Sequence, residues 1–298
     1  MQVVTTIAEL RQLVRSIRAR GERVAFVPTM GALHEGHLAL VDAVRPRARS
    51  VVMSIFVNPL QFGPTEDLAS YPRTLDLDVA RATEHDVDVV FAPTAAEMYP
   101  RPSVVAVTPA VRAGETPLDG RWEGAVRPGH FAGVLTVVAK LFNIVQPDLA
   151  AFGRKDLQQL TLIRAMVRDL DMPIEIVDVP TVRAPDGLAL SSRNAYLSAS
   201  EREHALAVPR ALDAMVRAWA DRGTTDVAAL TAVGRAVLAG ESGVAVDYLA
   251  ITEPERLEPV AVVVPGTVAM VAARVGRTRL IDNAVFAARD TAAYHPPS

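Results

Sequence analysis

The sequence predicts an α/β protein, with a Rossmann-like parallel-sheet domain followed by a smaller α+β C-terminal domain. Three observations carry this. Apolar runs without polar alternation, such as VVMSIFV at 51–57, recur between helical stretches, the pattern of strands buried on both faces of a parallel sheet. That alternation stops near residue 180, at the turn signal Pro185-Asp186-Gly187, and helices followed by consecutive strand-like runs take over. The length of 298 residues suits two domains of about 150 residues. We place residues 1–181 in the first domain and 182–298 in the second, which is expected to close over the first domain's ligand site.

The elements follow in order. Thr6 and Glu9 match a capping box, Ile7, Leu10, Leu13, Val14 and Ile17 form one apolar stripe, and Gly21 stands at a C-cap. Arg23–Val27 reads as a strand ending at Pro28, the turn Thr29-Met30-Gly31 follows, and Leu38–Val44 is helical. After the strand Val51–Val57, Asn58-Pro59 opens a loop of about 15 residues, longer than most connections and so a functional candidate. Thr74–Asp86 reads as a helix and Val87–Phe91 as a strand, and the Gly- and Pro-rich stretch Arg112–Gly129 is expected to be irregular. Val134–Val145 is a helix, Asp148–Phe152 a strand, Asp156–Asp169 a helix and Ile174–Val179 a strand. In the second domain Glu201–Arg222 and Asp226–Leu238 are helical, and Val244–Ile251, Val260–Val264, Val268–Val275 and Leu280–Phe286 read as strands. The tail TAAYHPPS is expected to be disordered.

Composition excludes several functional classes. Half of the chain is hydrophobic and 22% is charged, the profile of a soluble protein with a sizeable core. A net charge of -3 gives no global attraction for nucleic acid. The absence of cysteine rules out disulfides, thiolate metal sites and a catalytic thiol. The N-terminal stretch MQVVTTIAELRQLVRS lacks the basic-then-apolar order of a signal peptide, and Pro265 and Gly266 break the most apolar later stretch, Pro259–Ala273, well short of the roughly 20 residues of a membrane span. We expect a cytoplasmic protein with neither membrane nor nucleic-acid partner.

Chemistry concentrates at the predicted carboxyl ends of the parallel strands, where such folds bind ligands. His34-Glu35-Gly36-His37 follows the first of these strands and its turn. A helix N-terminus offers N–H groups to a phosphate, Gly36 permits close approach, and two imidazoles three residues apart can both donate to phosphate oxygens. A polar surface turn is the competing reading; a zinc pair fits poorly, because the spacing is not H-E-x-x-H. Phe152-Gly153-Arg154-Lys155-Asp156 sets a lysine at another strand end, a compact cation for a phosphate or simply a solvated charge. Leu190-Ser191-Ser192-Arg193-Asn194 is a dense donor run, or a loop whose serines cap the next helix. Gln61 and Gln159 supply neutral amides suited to hydroxyls and a carboxylate.

At these residues the chain resembles the pantoate–β-alanine ligases. The stretches that carry the resemblance are PTMGALHEGH (28–37), SIFVNPLQFGPTEDLASYPRT (54–74), RPGHFAGVLTVV (127–138), FGRKDLQQL (152–160), DGLALSSRNAYLS (186–198) and VDYLAI (246–251). The resemblance implies condensation of (R)-pantoate with β-alanine to pantothenate, with ATP converted to AMP and pyrophosphate through a pantoyl adenylate. It also implies Mg²⁺ and a homodimer. By the same resemblance, Met30, Gly31, Ala32, Leu33, His34, Glu35, Gly36 and His37 form the first part of the ATP site, with His34, His37 and Lys155 catalytic. Gly153, Arg154, Lys155, Asp156, Val182, Leu190, Ser191, Ser192 and Arg193 complete it. Gln61 is expected to contact pantoate and β-alanine, Gln159 pantoate, and Asp78 is the candidate metal position. Arg154 replaces the family's usual Glu and Leu190 its frequent Met; an acidic position near Asp78 is associated with Mg²⁺ in some members, and the neighbouring position here is Leu77. The rival reading is another H-x-G-H nucleotidylyltransferase, moving AMP onto a phosphate-bearing acceptor.

Overall fold

A computed structural model of the chain describes residues 1–64, 66–100, 112–113 and 116–287. The tail TAAYHPPS and part of the stretch expected to be irregular lie outside the described residues. The chain forms two compact units, Met1–Arg154 with Gln159–Val179, and Lys155–Gln158 with the chain from Pro180 onward. No helix among the described residues is long and apolar enough to cross a membrane.

The first unit begins with β1 (Gln2–Val4), α1 (Ile7–Ala19), β2 (Val24–Thr29), α2 (Glu35–Val44), β3 (Ser50–Ile55), α3 (Leu75–Glu84), β4 (Val89–Phe91) and α4 (Ala95–Met98). The two-residue strands β5 (Arg112–Ala113) and β6 (Thr116–Pro117) pair with each other. Then come α5 (Glu123–Val126), α6 (His130–Val145), β7 (Leu149–Gly153), α7 (Leu157–Asp169) and β8 (Glu175–Val179). Six strands make one parallel sheet in the order β1-β4-β3-β2-β7-β8. The continuous apolar strands sit in its middle: Val24, Ala25, Phe26, Val27, Val51, Val52 and Met53 are all fully buried. The capping box of α1 forms as its sequence implies, and Leu10, Val14 and Ile17 are its buried face. The edge strand β1, absent from the sequence-based expectation, has only three residues, too few to show a period.

Helix α6 starts at His130, four residues before the expected start at Val134. Gly133 in its first turn is a packing requirement and not a breaker: a Cβ there would lie 2.1 Å from the carbonyl oxygen of Leu60. The helix thereby presses directly on the turn Pro59–Gln61.

The second unit holds α8 (Ala199–Ala205), α9 (Ala207–Arg222), α10 (Val227–Ala239), β9 (Val244–Thr252), β10 (Val268–Val275) and β11 (Thr278–Val285). The three strands form an antiparallel sheet with β10 in the centre. Leu212, Met215, Leu230, Leu238, Ile251, Val271 and Phe286 share its core. The expected helix 201–222 is split at Leu206. Pro209, in the first turn of α9, has no N–H to continue the ladder from α8. The expected strand Val260–Val264 does not form. Prolines flank it at 259 and 265, only an isolated bridge joins Val262 to Asp226, and Val262 and Val264 are exposed while Val263 is buried. The apolar run here serves one buried side chain, not a ladder.

Candidate active site

In the first unit the H-x-G-H stretch begins where β2 ends. Thr29 donates through its hydroxyl to the Ser54 carbonyl at 2.7 Å and accepts from the Gly31 N–H at 3.2 Å. The chain then turns through Gly31 (φ +83°) and Ala32 (φ +50°). A carboxylate 46 residues away holds this turn: Asp78 accepts from the Ala32 N–H at 3.0 Å and the Leu33 N–H at 2.8 Å. Its oxygens also accept from the Thr74 hydroxyl at 3.3 Å. Asp78 is 1% exposed, and a Cβ on Gly31 would come within 2.9 Å of it, so glycine is required by both space and backbone angle. Arg81 donates to the Leu33 carbonyl from the same helix.

Asp78 is also the candidate metal position named from the resemblance, and here it supports the loop. The Asp78 carboxylate is committed to backbone amides, and its position is that of a loop anchor. Among the described residues there is no group of three His, Asp or Glu side chains arranged to hold a metal ion.

His34 is the N-cap of α2. Its Nδ1 accepts from the Gly36 N–H at 3.1 Å, and its own N–H donates to Nδ1 of His37 at 3.4 Å. The two residues thus form a reciprocal capping box with imidazoles in place of the usual hydroxyl and carboxylate. Their rings lie 4.1 Å apart between centroids at an interplanar angle of 30°. With Nδ1 accepting in both, the neutral rings carry their protons on Nε2. Two imidazole N–H donors and the positive end of a ten-residue helix are thereby gathered in one place, a donor set for an anion.

Gln61 is buried, with 9% exposure. Its Nε2 lies 3.1 Å from the Met30 sulfur, so the structure brings the predicted pantoate residue against the first predicted ATP residue. Its Oε1 accepts from Asn58 Nδ2 at 3.1 Å, and the same amide donates to the Gly133 carbonyl at 3.1 Å. Asn58 Oδ1 accepts from the Tyr99 hydroxyl at 2.8 Å. Burial pushes the Tyr99 phenol up to about 12, so it remains a donor at neutral pH. The Gln61 carbonyl accepts from His130 Nδ1 at 2.8 Å, and Arg127 Nη1 lies 2.9 Å from His130 Nε2. Burial, reinforced by Arg127, pushes His130 down to about 4, so its neutral ring donates from Nδ1 and accepts at Nε2. Arg127 binds Glu66 in a fork of two 2.7 Å bonds. Burial alone raises the Glu66 carboxyl, but this pairing outweighs it and holds the group below the ordinary carboxylate range. Sequence reasoning does not single out Asn58, Tyr99, Arg127, Glu66 or His130, although Asn58 and Glu66 lie in the long loop flagged there.

At the end of β7, Gly153 has open space around its Cα. Arg154, the departure from the family pattern, binds Asp178 on β8, which also pairs with Arg164 at 3.2 Å. Although burial raises the Asp178 carboxyl, these two guanidinium groups hold it below its ordinary range. The added positive charge at 154 is thus met locally. Gln159 is half-buried on α7.

In the second unit Lys155 is one of two lysines in the chain. Its ammonium lies 3.7 Å from Asp156, and its backbone carbonyl accepts from Asn283 Nδ2 at 3.0 Å. Residues 182–190 form a tight hairpin. The Leu190 N–H donates to the Val182 carbonyl at 2.9 Å, bringing these two predicted ATP residues together, and the turn passes through Gly187 (φ +90°). Arg183 clamps this hairpin to Asp282 of β11 through bonds of 2.6 and 2.9 Å. Ser191 caps the short turn Ser192–Tyr196 by accepting from the Arg193 N–H at 3.3 Å.

Comparison with known proteins fits these features. The chain matches the family described as Pantoate-beta-alanine ligase over residues 2–285. It is 50% identical to the pantothenate synthetase of Koribacter versatilis over 292 residues, 98% of each chain. It is 54% identical to that of a Nocardioides species, covering 93% of this chain and 83% of the relative. The crystal structure of pantothenate synthetase from Thermus thermophilus superposes with a TM-score of 0.90 at 50% identity, covering 96% of this chain and 100% of that one. The pantoate-beta-alanine ligase of Francisella tularensis, complexed with beta-gamma ATP and beta-alanine, superposes with a TM-score of 0.79 at 31% identity over 96% of this chain and 98% of that one. The chain belongs to the pantoate-beta-alanine ligase family.

Proposed function

We propose that this enzyme condenses pantoate with β-alanine, converting ATP to AMP and pyrophosphate. The observation that carries this reading is the donor set built on Met30–His37, a capped helix N-terminus with two Nε2–H imidazoles, in a chain that matches the family over residues 2–285. In the first step a pantoate carboxylate oxygen attacks the α-phosphorus in line, the bond to the β-phosphate bridging oxygen breaks, and pyrophosphate leaves. The chemistry calls for positioning and charge stabilisation more than for a protein nucleophile. His34 and His37 donate to phosphate oxygens, with the Met30–Gly36 backbone around them. Lys155 with Gly153, Arg154 and Asp156, and Ser191, Ser192 and Arg193 with Val182 and Leu190, are the other ATP contacts. In the second step the β-alanine amine attacks the acyl carbon of pantoyl adenylate, AMP leaves with the bond electrons, and the proton lost from the attacking nitrogen passes to solvent. Gln61 orients both pantoate and β-alanine, and Gln159 pantoate.

Mg²⁺ is the expected companion of ATP. When bound, the ion would be carried by the ATP phosphates and would offset their charge. We further propose a cytoplasmic homodimer, in line with the family resemblance.

The test is product analysis. ATP, Mg²⁺, pantoate and β-alanine should give pantothenate and AMP in equal amounts, and omission of β-alanine should leave enzyme-bound pantoyl adenylate. Formation of ADP and phosphate in place of AMP and pyrophosphate would overturn the scheme.

A further inference from the structure

We propose that two adjacent residues of β11, Asp282 and Asn283, are positioning residues that set the ATP-binding elements of the second unit. The proposal rests on the reading above that Lys155 and Leu190–Arg193 meet ATP. Successive side chains of a strand point to opposite faces, so two neighbours can reach two different segments. Asp282 takes Arg183 in a two-point fork of 2.6 and 2.9 Å, and the same guanidinium donates to the Gly187 carbonyl at 3.1 Å. This ties the first strand and the turn of the hairpin, whose end delivers Leu190 and Ser191, to β11. Asn283 donates from Nδ2 to the Lys155 carbonyl at 3.0 Å, fixing the backbone of the lysine and so the origin of its side chain.

Burial makes both contacts decisive. Asp282 is 3% exposed and Asn283 8%. An Asp282 carboxylate without Arg183 would be a buried uncompensated charge, so hairpin and strand move together. Asp282 Oδ1 also accepts from the Asn283 N–H at 2.8 Å, linking the two supports through one carboxylate. The residues directly opposite on β10 are apolar, Val271 across from Asp282 and Met270 across from Asn283, so neither side chain there can take over the lost charge or donor. Neither Asp282 nor Asn283 is assigned a contact with substrate. Their effect is transmitted through Arg183 and through the Lys155 main chain.

The experiment uses Asn283→Asp, which keeps the size and removes the Nδ2 donor, with Asn283→Gln as the conservative variant that retains a donor. Asp282→Asn is left as a secondary variant, because loss of the buried pair can unfold the unit. Since Lys140 is the only other lysine, acetylation by an amine-reactive probe followed by peptide mass mapping reports on Lys155 separately from activity. In the wild type, ATP with Mg²⁺ should protect Lys155 and leave Lys140 reactive. In Asn283→Asp we expect that protection to weaken by about tenfold in the ATP concentration required, the KM for ATP to rise in parallel, the KM for pantoate to hold within about twofold, and Asn283→Gln to recover part of both. Protection of Lys155 in the wild type together with equal protection in folded Asn283→Asp would overturn this proposal alone. Absence of ATP protection in the wild type would overturn the ATP assignment of Lys155 and the proposal with it.

Discussion

The buried side-chain amide of Asn58 donates to Oε1 of Gln61 at 3.1 Å, while its own oxygen accepts from Tyr99. Gln61 is therefore held from behind, with its Nε2 fixed toward Met30. Asn58→Ala should leave that acceptor unsatisfied and release the amide. We expect the KM for pantoate or β-alanine to rise about tenfold with a smaller change in kcat. Gln61→Ala should raise the same constants further. Unchanged KM values for both substrates in both variants would remove Gln61 from the binding role.

Donors aimed at developing charge should matter for turnover more than for folding. His37→Ala and Lys155→Ala are each expected to lower kcat by roughly 10²–10³. Steady-state kinetics on purified, folded variants decides this, and near-normal turnover in either one would remove its assigned role.

Asp78 separates anchoring from metal binding. Asp78→Asn keeps one acceptor oxygen for the two loop amides of Ala32 and Leu33 and loses the other. Stability should fall by about 1–3 kcal/mol, and the KM for ATP should rise as the loop loosens. The Mg²⁺ dependence measured at saturating ATP should stay at its wild-type value; a large shift would return Asp78 to the metal.

His130 gives the fold a dependence on acid. Its folded pKa is depressed to about 4 from 6.5. Well above pH 6.5 the ring is neutral in both folded and unfolded chains and contributes no slope. As pH falls from 6.5 to about 4 the unfolded chain gains a proton that the folded one refuses, so stability is lost across this window. The loss is at most about 3 kcal/mol. Urea unfolding of wild type and His130→Phe over the same range should show a flatter pH dependence in the variant, whatever its overall stability. Parallel slopes would mean that another group carries the acid sensitivity.

Local chemistry was legible in the sequence, and long-range support was not. The Thr6–Glu9 box and the strand runs of the sheet depend on neighbours within a few residues, and they stand as read. Asp78 meets the loop across 46 residues and His130 meets Gln61 across 69; no spacing rule links such positions. The expected start of α6 fell one residue past Gly133, because the sequence does not show the Leu60 carbonyl that makes a glycine necessary inside the helix. The apolar run Val260–Val264 looked like a strand because its prolines lie at its ends, where their effect on pairing depends on the neighbouring chain.

The reciprocal cap of His34 and His37 has a consequence for which side chains those positions tolerate. In each ring Nδ1 serves the architecture, and Nε2 is the nitrogen proposed above to donate to the ligand. Serine or aspartate would cap the helix as well or better, yet brings no second donor on the far side of a rigid plane. Arginine or lysine would donate, yet has no acceptor for the backbone N–H. An uncharged imidazole does both at once. A designer who strengthens this helix by ordinary capping rules would obtain a sturdier protein with nothing left to offer a phosphate from these two positions.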